Sequence, residues 1–249
     1  MTWFEAALYY EDHGVGDAVL LLPGWAGSIT DLDRLRGELA GGFRVIAADL
    51  PGCGRSQPQP RPYTADFYAD DAHTFLRLLD HLEIEAAHLV GFSDGGETAL
   101  LMAALEPARA LSVVAWGAAG QVVAPADGFG ALERLLDEPT EELLPLAAFL
   151  AEAYGPDNAR AMARSWASAM SQIAAAGGDI SCSRARSIAC PALLIIGAND
   201  PFCPAPVVQD LAGAIPRGRY VEFADVGHDV HHAAPGVFLP LVLEWLEEH

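Results

Sequence analysis

The chain has 249 residues, 52% of them hydrophobic, and a formal charge of -20 with all 14 basic residues arginine. That apolar content supports a buried core and argues against disorder, and no apolar run reaches the roughly eighteen residues that span a bilayer. The acidity argues against nucleic acid, whose phosphates would be repelled, while favouring solubility and cationic small molecules.

The first segment, "MTWFEAALYYEDHG", lacks a basic region and meets acid early, so the expectation is a cytoplasmic protein without a secretory signal. "AVLLL" (Ala18 to Leu22) then runs into "PGWAGS", and "FRVIAA" (Phe43 to Ala48) into "DLPGCGRS". "QPQPRPY" (Gln57 to Tyr63) predicts a rigid surface loop. Thr64 to Leu82 predicts a helix, with Phe67, Ala72, Phe75, Leu78, Leu79 and Leu82 near one face.

"AHLVGF" (Ala87 to Phe92) ends in "SDGGETAL", and "LSVVAW" (Leu111 to Trp116) in Gly117. Late in the chain, "ALLIIG" (Ala192 to Gly197) leads into "ANDPF" and "RYVEF" (Arg219 to Phe223) into "ADVGH". Short continuous runs of Val, Ile and Leu are what strands buried on both faces of a parallel sheet require. Their alternation with amphipathic stretches predicts a mostly parallel, doubly wound α/β sheet, with ligands at the carboxyl ends of the strands.

The interval 121–187 breaks the rhythm. It offers "GALERLLDE", "EELLPLAAFLAEAYG" and "DNARAMARSWASAMSQIAAA" but no convincing strand. The expected organisation is a core of residues 1–120 and 188–249 with a helical lid, 121–187, between two late strands.

"GFSDG", Gly91 to Gly95, fits G-x-S-x-G between a strand and a helix. There a serine sits on a sharp turn whose glycine neighbours avoid clashes, and the next N–H faces a developing oxyanion. Such a serine needs a histidine to take its proton and an acid to orient the histidine, in the chain order Ser, acid, His. Ser93, Asp200 after "LLIIGAN" and His228 after "VEFADVG" meet that order. Asp225 and Asp229 lie near His228 but do not follow the strand ending at Gly197.

The oxyanion donors expected are the N–H groups of Asp94 and of Trp25, with Trp25 also bordering the substrate. "HDVHH", His228 to His232, fits no common zinc spacing and reads as a solvated loop. His13, His73, His81 and His88 read as surface or core residues. The four cysteines show no metal or CxxC spacing, so free thiols and no cofactor are expected. Asp94 itself has two readings: an acid favoured by the dipole at a helix start, or a group that meets the substrate.

Together "LLLPG", "GWAGS", "DLPGCGRS", "GFSDGGETAL", "WGA", "AYG", Trp166, "CPALLI" and the late "GH" resemble the α/β-hydrolase superfamily over nearly the whole chain. Within it they are most similar to the valacyclovirase-like serine hydrolases of α-amino acid esters. The resemblance implies Ser93 as nucleophile, Asp200 as acid, His228 as base, and Asp94 as the group that binds a substrate ammonium. The partner would then be a small cationic ester, with neither nucleic acid nor membrane involved. Two other hydrolytic activities fit the same residues: a general carboxylesterase, and a carbon–carbon bond hydrolase of aromatic ring-cleavage products. A non-catalytic ligand-binding protein on the same fold is the alternative of another class. Dehalogenases and epoxide hydrolases place Asp where this chain has Ser93.

Overall fold

The computed structural model describes residues 2–126 and 128–249. In chain order the main elements are β1 (Thr2–Phe4), β2 (Leu8–His13), β3 (Ala18–Leu22), α1 (Asp33–Leu39), β4 (Arg44–Ala48), α2 (Phe67–His81), β5 (Ala87–Phe92), α3 (Asp94–Leu105) and β6 (Ala110–Trp116). Then follow α4 (Gly130–Glu133), α5 (Leu144–Tyr154), α6 (Pro156–Ala175), β7 (Ala192–Gly197), α7 (Ala205–Ala214), β8 (Gly218–Phe223), α8 (Val230–Ala233) and α9 (Pro235–Glu247). Short 3-10 turns join several of them. No helix among the described residues is long and apolar enough to cross a membrane.

Every strand expected from the apolar runs is present, within a residue at either end. The eight-stranded sheet has the order β1-β2-β4-β3-β5-β6-β7-β8, and all pairings from β4 onward to β8 are parallel. Side chains alternate across it: Leu20 and Leu22 pack on the face carrying α2 and α3, Val19 and Leu21 on the face carrying α1 and α9. All four are essentially inaccessible, which at about 2 kcal/mol per buried aliphatic side chain makes β3 a principal source of stability.

The antiparallel hairpin β1–β2 lacks a sequence signal. Its turn places Glu5 at φ 51° and Ala6 at φ 56°, a conformation usually announced by Asn-Gly or Gly-Gly. The loop 57–63 also differs from expectation. Arg61 and Tyr63 turn inward and are buried, because Arg61 forms a bidentate ion pair with the buried Asp71 (2.6 and 2.8 Å) and lies over the Tyr63 ring.

Strand order reverses between β3 and β5, since β4 lies on one side of β3 and β5 on the other. The loops leaving these two strands therefore diverge and open a crevice at their carboxyl ends. Between β6 and β7 the chain leaves the sheet for α4, α5 and α6 and, among its described residues, adds no strand to it. This excursion is closed at its base by an antiparallel bridge between Gln121 and Asp179.

Candidate active site

Ser93 occupies the turn between β5 and α3 with φ 51° and ψ -120°, a strained backbone for a residue with a side chain. The turn closes only because its neighbours are glycines. A Cβ on Gly91 would meet the Gly95 carbonyl at 2.2 Å, and one on Gly95 would meet the Pro23 carbonyl at 2.4 Å. Gly24 brings the loop after β3 against the serine: a Cβ there would lie 3.2 Å from Ser93 Cβ.

The loops after β7 and β8 bring the other two groups. Asn199 N–H donates to the Val226 carbonyl, and the close approach of Gly197 to Gly227 locks the two loops together. His228 Nδ1 lies 2.7 Å from Asp200 Oδ2, and His228 Nε2 lies 3.0 Å from Ser93 Oγ. With Nδ1–H donating to the carboxylate, Nε2 is left free to accept the serine proton. The N–H groups of Phe202 (2.8 Å) and Cys203 (3.0 Å) hold the other Asp200 oxygen, and that side chain is wholly buried. Asp225 and Asp229 are exposed instead.

Among the described residues neither the Asp94 N–H nor the Trp25 N–H is taken by a protein acceptor. The loop bearing one and the helix start bearing the other flank the serine, so both are free to meet negative charge. The Trp25 ring stacks on Trp166 of α6 at a centroid distance of 4.7 Å.

Asp94 as a residue is 4% exposed and lines the same cavity as Ser93. Its Oδ1 accepts the Tyr68 O–H at 2.7 Å and its Oδ2 the Trp166 indole N–H at 2.9 Å. Burial pushes its pKa up, and those two hydrogen bonds oppose the rise. No basic side chain among the described residues forms an ion pair with it, since Arg61 is spent on Asp71.

The cavity, about 780 Å³, is lined by Trp25, Tyr68, Ser93, Asp94, Trp166 and His228 among others. It is also lined by Asp31, Glu97, Glu142 and Asp229 and, among the described residues, by no arginine. Tyr68 and Glu97 are contributors that the sequence reading passed over. Glu97 was detectable as the lone acid in the apolar run "GGETALLMAAL". It is buried, accepts the N–H groups of Ala119 (2.7 Å) and Gly120 (3.0 Å), and burial raises its pKa to about 8. Tyr68 gave no signal, because its position on α2 reads as core.

The histidines after His228 correct the expectation of a solvated loop. His231 lies in α8, packs on Phe92 and accepts the Trp116 indole N–H at 3.1 Å. Burial drives its pKa down to about 3, so it is a neutral acceptor. His88 is buried and bonded to Ser112 Oγ at 2.8 Å, whereas His13, His73 and His81 are exposed. Among the described residues no group of His, Cys, Asp or Glu is arranged to hold a metal.

A family model for the α/β hydrolase fold matches residues 17–235. Human serine hydrolase BPHL is 35% identical over 96% of this chain and 83% of its own length; the mouse protein is 30% identical over the same shares. A 2-hydroxy-6-oxononadienedioate/2-hydroxy-6-oxononatrienedioate hydrolase of Pseudomonas putida is 30% identical over 98% of this chain and 92% of its own. Among solved structures, a thermophilic esterase from Thermogutta terrifontis superposes with a TM-score of 0.74 at 25% identity, covering 97% of this chain and 93% of its own.

Proposed function

The chain belongs to the α/β-hydrolase family, and from that premise we propose that it is a serine hydrolase of carboxylic esters, selective for α-amino acid esters. Ser93 Oγ attacks the ester carbonyl carbon as His228 Nε2 takes its proton, with Asp200 holding the imidazole in the required tautomer. The carbonyl oxygen, now negative, is met by the N–H groups of Trp25 and Asp94. Collapse expels the alcohol, protonated by His228, and leaves an acyl group on Ser93. Water, deprotonated by His228, then releases the acid.

One observation carries the substrate preference. Asp94 is a buried carboxylate beside the nucleophile, held by two neutral donors, open to the cavity and, among the described residues, without a cationic partner. A carboxylate kept out of water without a counter-charge is costly, and an ammonium two bonds from the ester carbonyl supplies that charge where it is missing. At about 4 Å and an effective dielectric near 20, such a pair attracts by about 4 kcal/mol before desolvation is subtracted, leaving a net of roughly 1–3 kcal/mol. The bound ammonium also offsets the repulsion between the Asp94 carboxylate and the oxyanion.

The helical excursion between β6 and β7 acts as a lid in this reading, because Trp166 reaches from α6 to both Asp94 and Trp25. Small cationic esters fit an acidic cavity, whereas the dicarboxylate named for the Pseudomonas putida relative would find the carboxyl groups of Asp31, Asp94, Glu142 and Asp229 and, among the described residues, no guanidinium. That comparison ranks carbon–carbon bond hydrolysis of ring-cleavage products behind amino ester cleavage. The test is a panel of acyl esters with and without an α-amine. Preference for the amine, together with labelling of Ser93 by a fluorophosphonate, supports the reading. Equal rates remove the amine preference, and failure to label removes the hydrolase mechanism.

A further inference from the structure

The turn that carries the Trp25 N–H is an uncomfortable one. Gly27 N–H donates back to the Gly24 carbonyl at 3.1 Å, making Trp25 and Ala26 its central residues, and Ala26 stands at φ 60°. A positive φ is natural for glycine and strained for alanine, so surrounding contacts must hold this conformation.

Three contacts do so. Ala26 N–H donates to Cys53 Sγ at 3.3 Å, and Ile29 N–H donates to Asp49 Oδ1 at 2.7 Å. The third comes from the helical excursion: Tyr154, the last residue of α5, donates its O–H to the Ala26 carbonyl at 2.7 Å. The same oxygen accepts the Gly54 N–H at 2.7 Å. One phenol thus joins the turn after β3, the loop after β4 and the end of a lid helix. Tyr154 is buried and lies 128 residues from Ala26 in the chain.

We propose that Tyr154 is a positioning residue for the oxyanion hole, fixing the strained Gly24–Gly27 turn so that the Trp25 N–H faces the carbonyl oxygen under attack. This rests on the reading of Trp25 as an oxyanion donor. With Trp166 bound to Asp94 and stacked on Trp25, the excursion touches both residues whose N–H groups flank Ser93. Seating of the lid and assembly of the hole are then one event. A plain tether between lid and core would use the same two hydrogen bonds but would influence only stability.

The experiment compares wild type, Tyr154→Phe and Ser93→Ala with an α-amino p-nitrophenyl ester, and adds benzeneboronic acid, whose boron bonds the serine oxygen and presents a negative oxygen to the hole. Tyr154→Phe should lower kcat by about tenfold and weaken boronate inhibition in the same proportion. KM should move by less than about twofold. A lower Tm with kcat and boronate affinity unchanged, or a change in KM alone, overturns the proposal. Full turnover by Ser93→Ala would instead sink the serine mechanism, whatever Tyr154→Phe does. Should Tyr154→Phe not fold, Tyr154→Gln, which keeps a donor, is compared with Tyr154→Met. The proposal then requires several-fold higher kcat for Gln and is refuted by equal values.

Discussion

The strand-end loops of the sheet and the helical excursion between β6 and β7 build different halves of the site. The loops after β3, β5, β7 and β8 supply the Trp25 N–H, Ser93, Asp200 and His228, each held by backbone contacts that leave little freedom. The excursion supplies Tyr154 and Trp166, which reach the site through side chains. In the proposed reading the sheet loops fix the reacting atoms, while the excursion lines the substrate's cavity and, through Tyr154, also braces the turn of one oxyanion donor. Asp94 sits where the two meet, its N–H belonging to the first half and its carboxylate to the second.

That division can be broken on either side. The largest effect should come from the sheet side: Ser93→Ala is expected to lower kcat by about 10⁴-fold or more while leaving Tm nearly unchanged. Retention of burst kinetics in that variant would contradict the assignment of the nucleophile.

On the recognition side the effects should be smaller and selective. Tyr68→Phe removes one of two donors to Asp94 and should cut the preference for the amino ester by roughly three- to tenfold, with the deaminated ester barely affected. Asp94 must be ionised to hold the ammonium, and the Tyr68 hydrogen bond opposes the burial that raises its pKa. Its loss should therefore move to higher pH the point at which the preference for the amino ester over the deaminated ester falls away on the acidic side. That preference is a ratio, from which the shared requirement for neutral His228 cancels. The alkaline limb of the amino ester profile, set by the substrate amine with an ordinary pKa near 8 or below, should stay in place. A uniform drop for both esters without movement of that point would show that Tyr68 only supports the fold.

A further effect concerns stability and leaves the chemistry aside. Glu97 has a pKa raised to about 8 in the folded chain from an ordinary 4.5. A raised acid favours folding while it is protonated, so its contribution is complete below about pH 4.5 and lost as pH rises through about 8. Glu97→Gln should flatten that part of the Tm–pH curve, as measured by thermal unfolding from pH 5 to 8.5. An identical slope in both proteins would refute the raised value.

What could be read in advance follows the same division. The sheet half was legible because short apolar strands, the Gly91 to Gly95 turn and the order Ser93, Asp200, His228 are local patterns with fixed chain order. Of the recognition half, the ammonium role of Asp94, Trp166 and the "AYG" stretch entered only through the family resemblance. The contacts of Tyr68, Trp166 and Tyr154 stayed hidden because their partners lie 26, 72 and 128 residues away. A helical tyrosine or tryptophan reads as core until its hydrogen-bond partner is known. The same reason hid Arg61, whose loop looks solvated until Asp71 is placed beneath it. It hid the hairpin β1–β2 as well, whose turn uses Glu5 and Ala6 where glycine or asparagine would have marked it.

The most direct test is kcat/KM for two p-nitrophenyl esters, one of an α-amino acid and one of its deaminated analogue, in wild type and Asp94→Asn. Preference for the amino ester by about tenfold or more in wild type, lost in Asp94→Asn while the deaminated ester keeps its rate, is the predicted result. Equal rates for the two esters in wild type, or a preference that survives Asp94→Asn, would contradict the central claim and return Asp94 to a residue of the helix start.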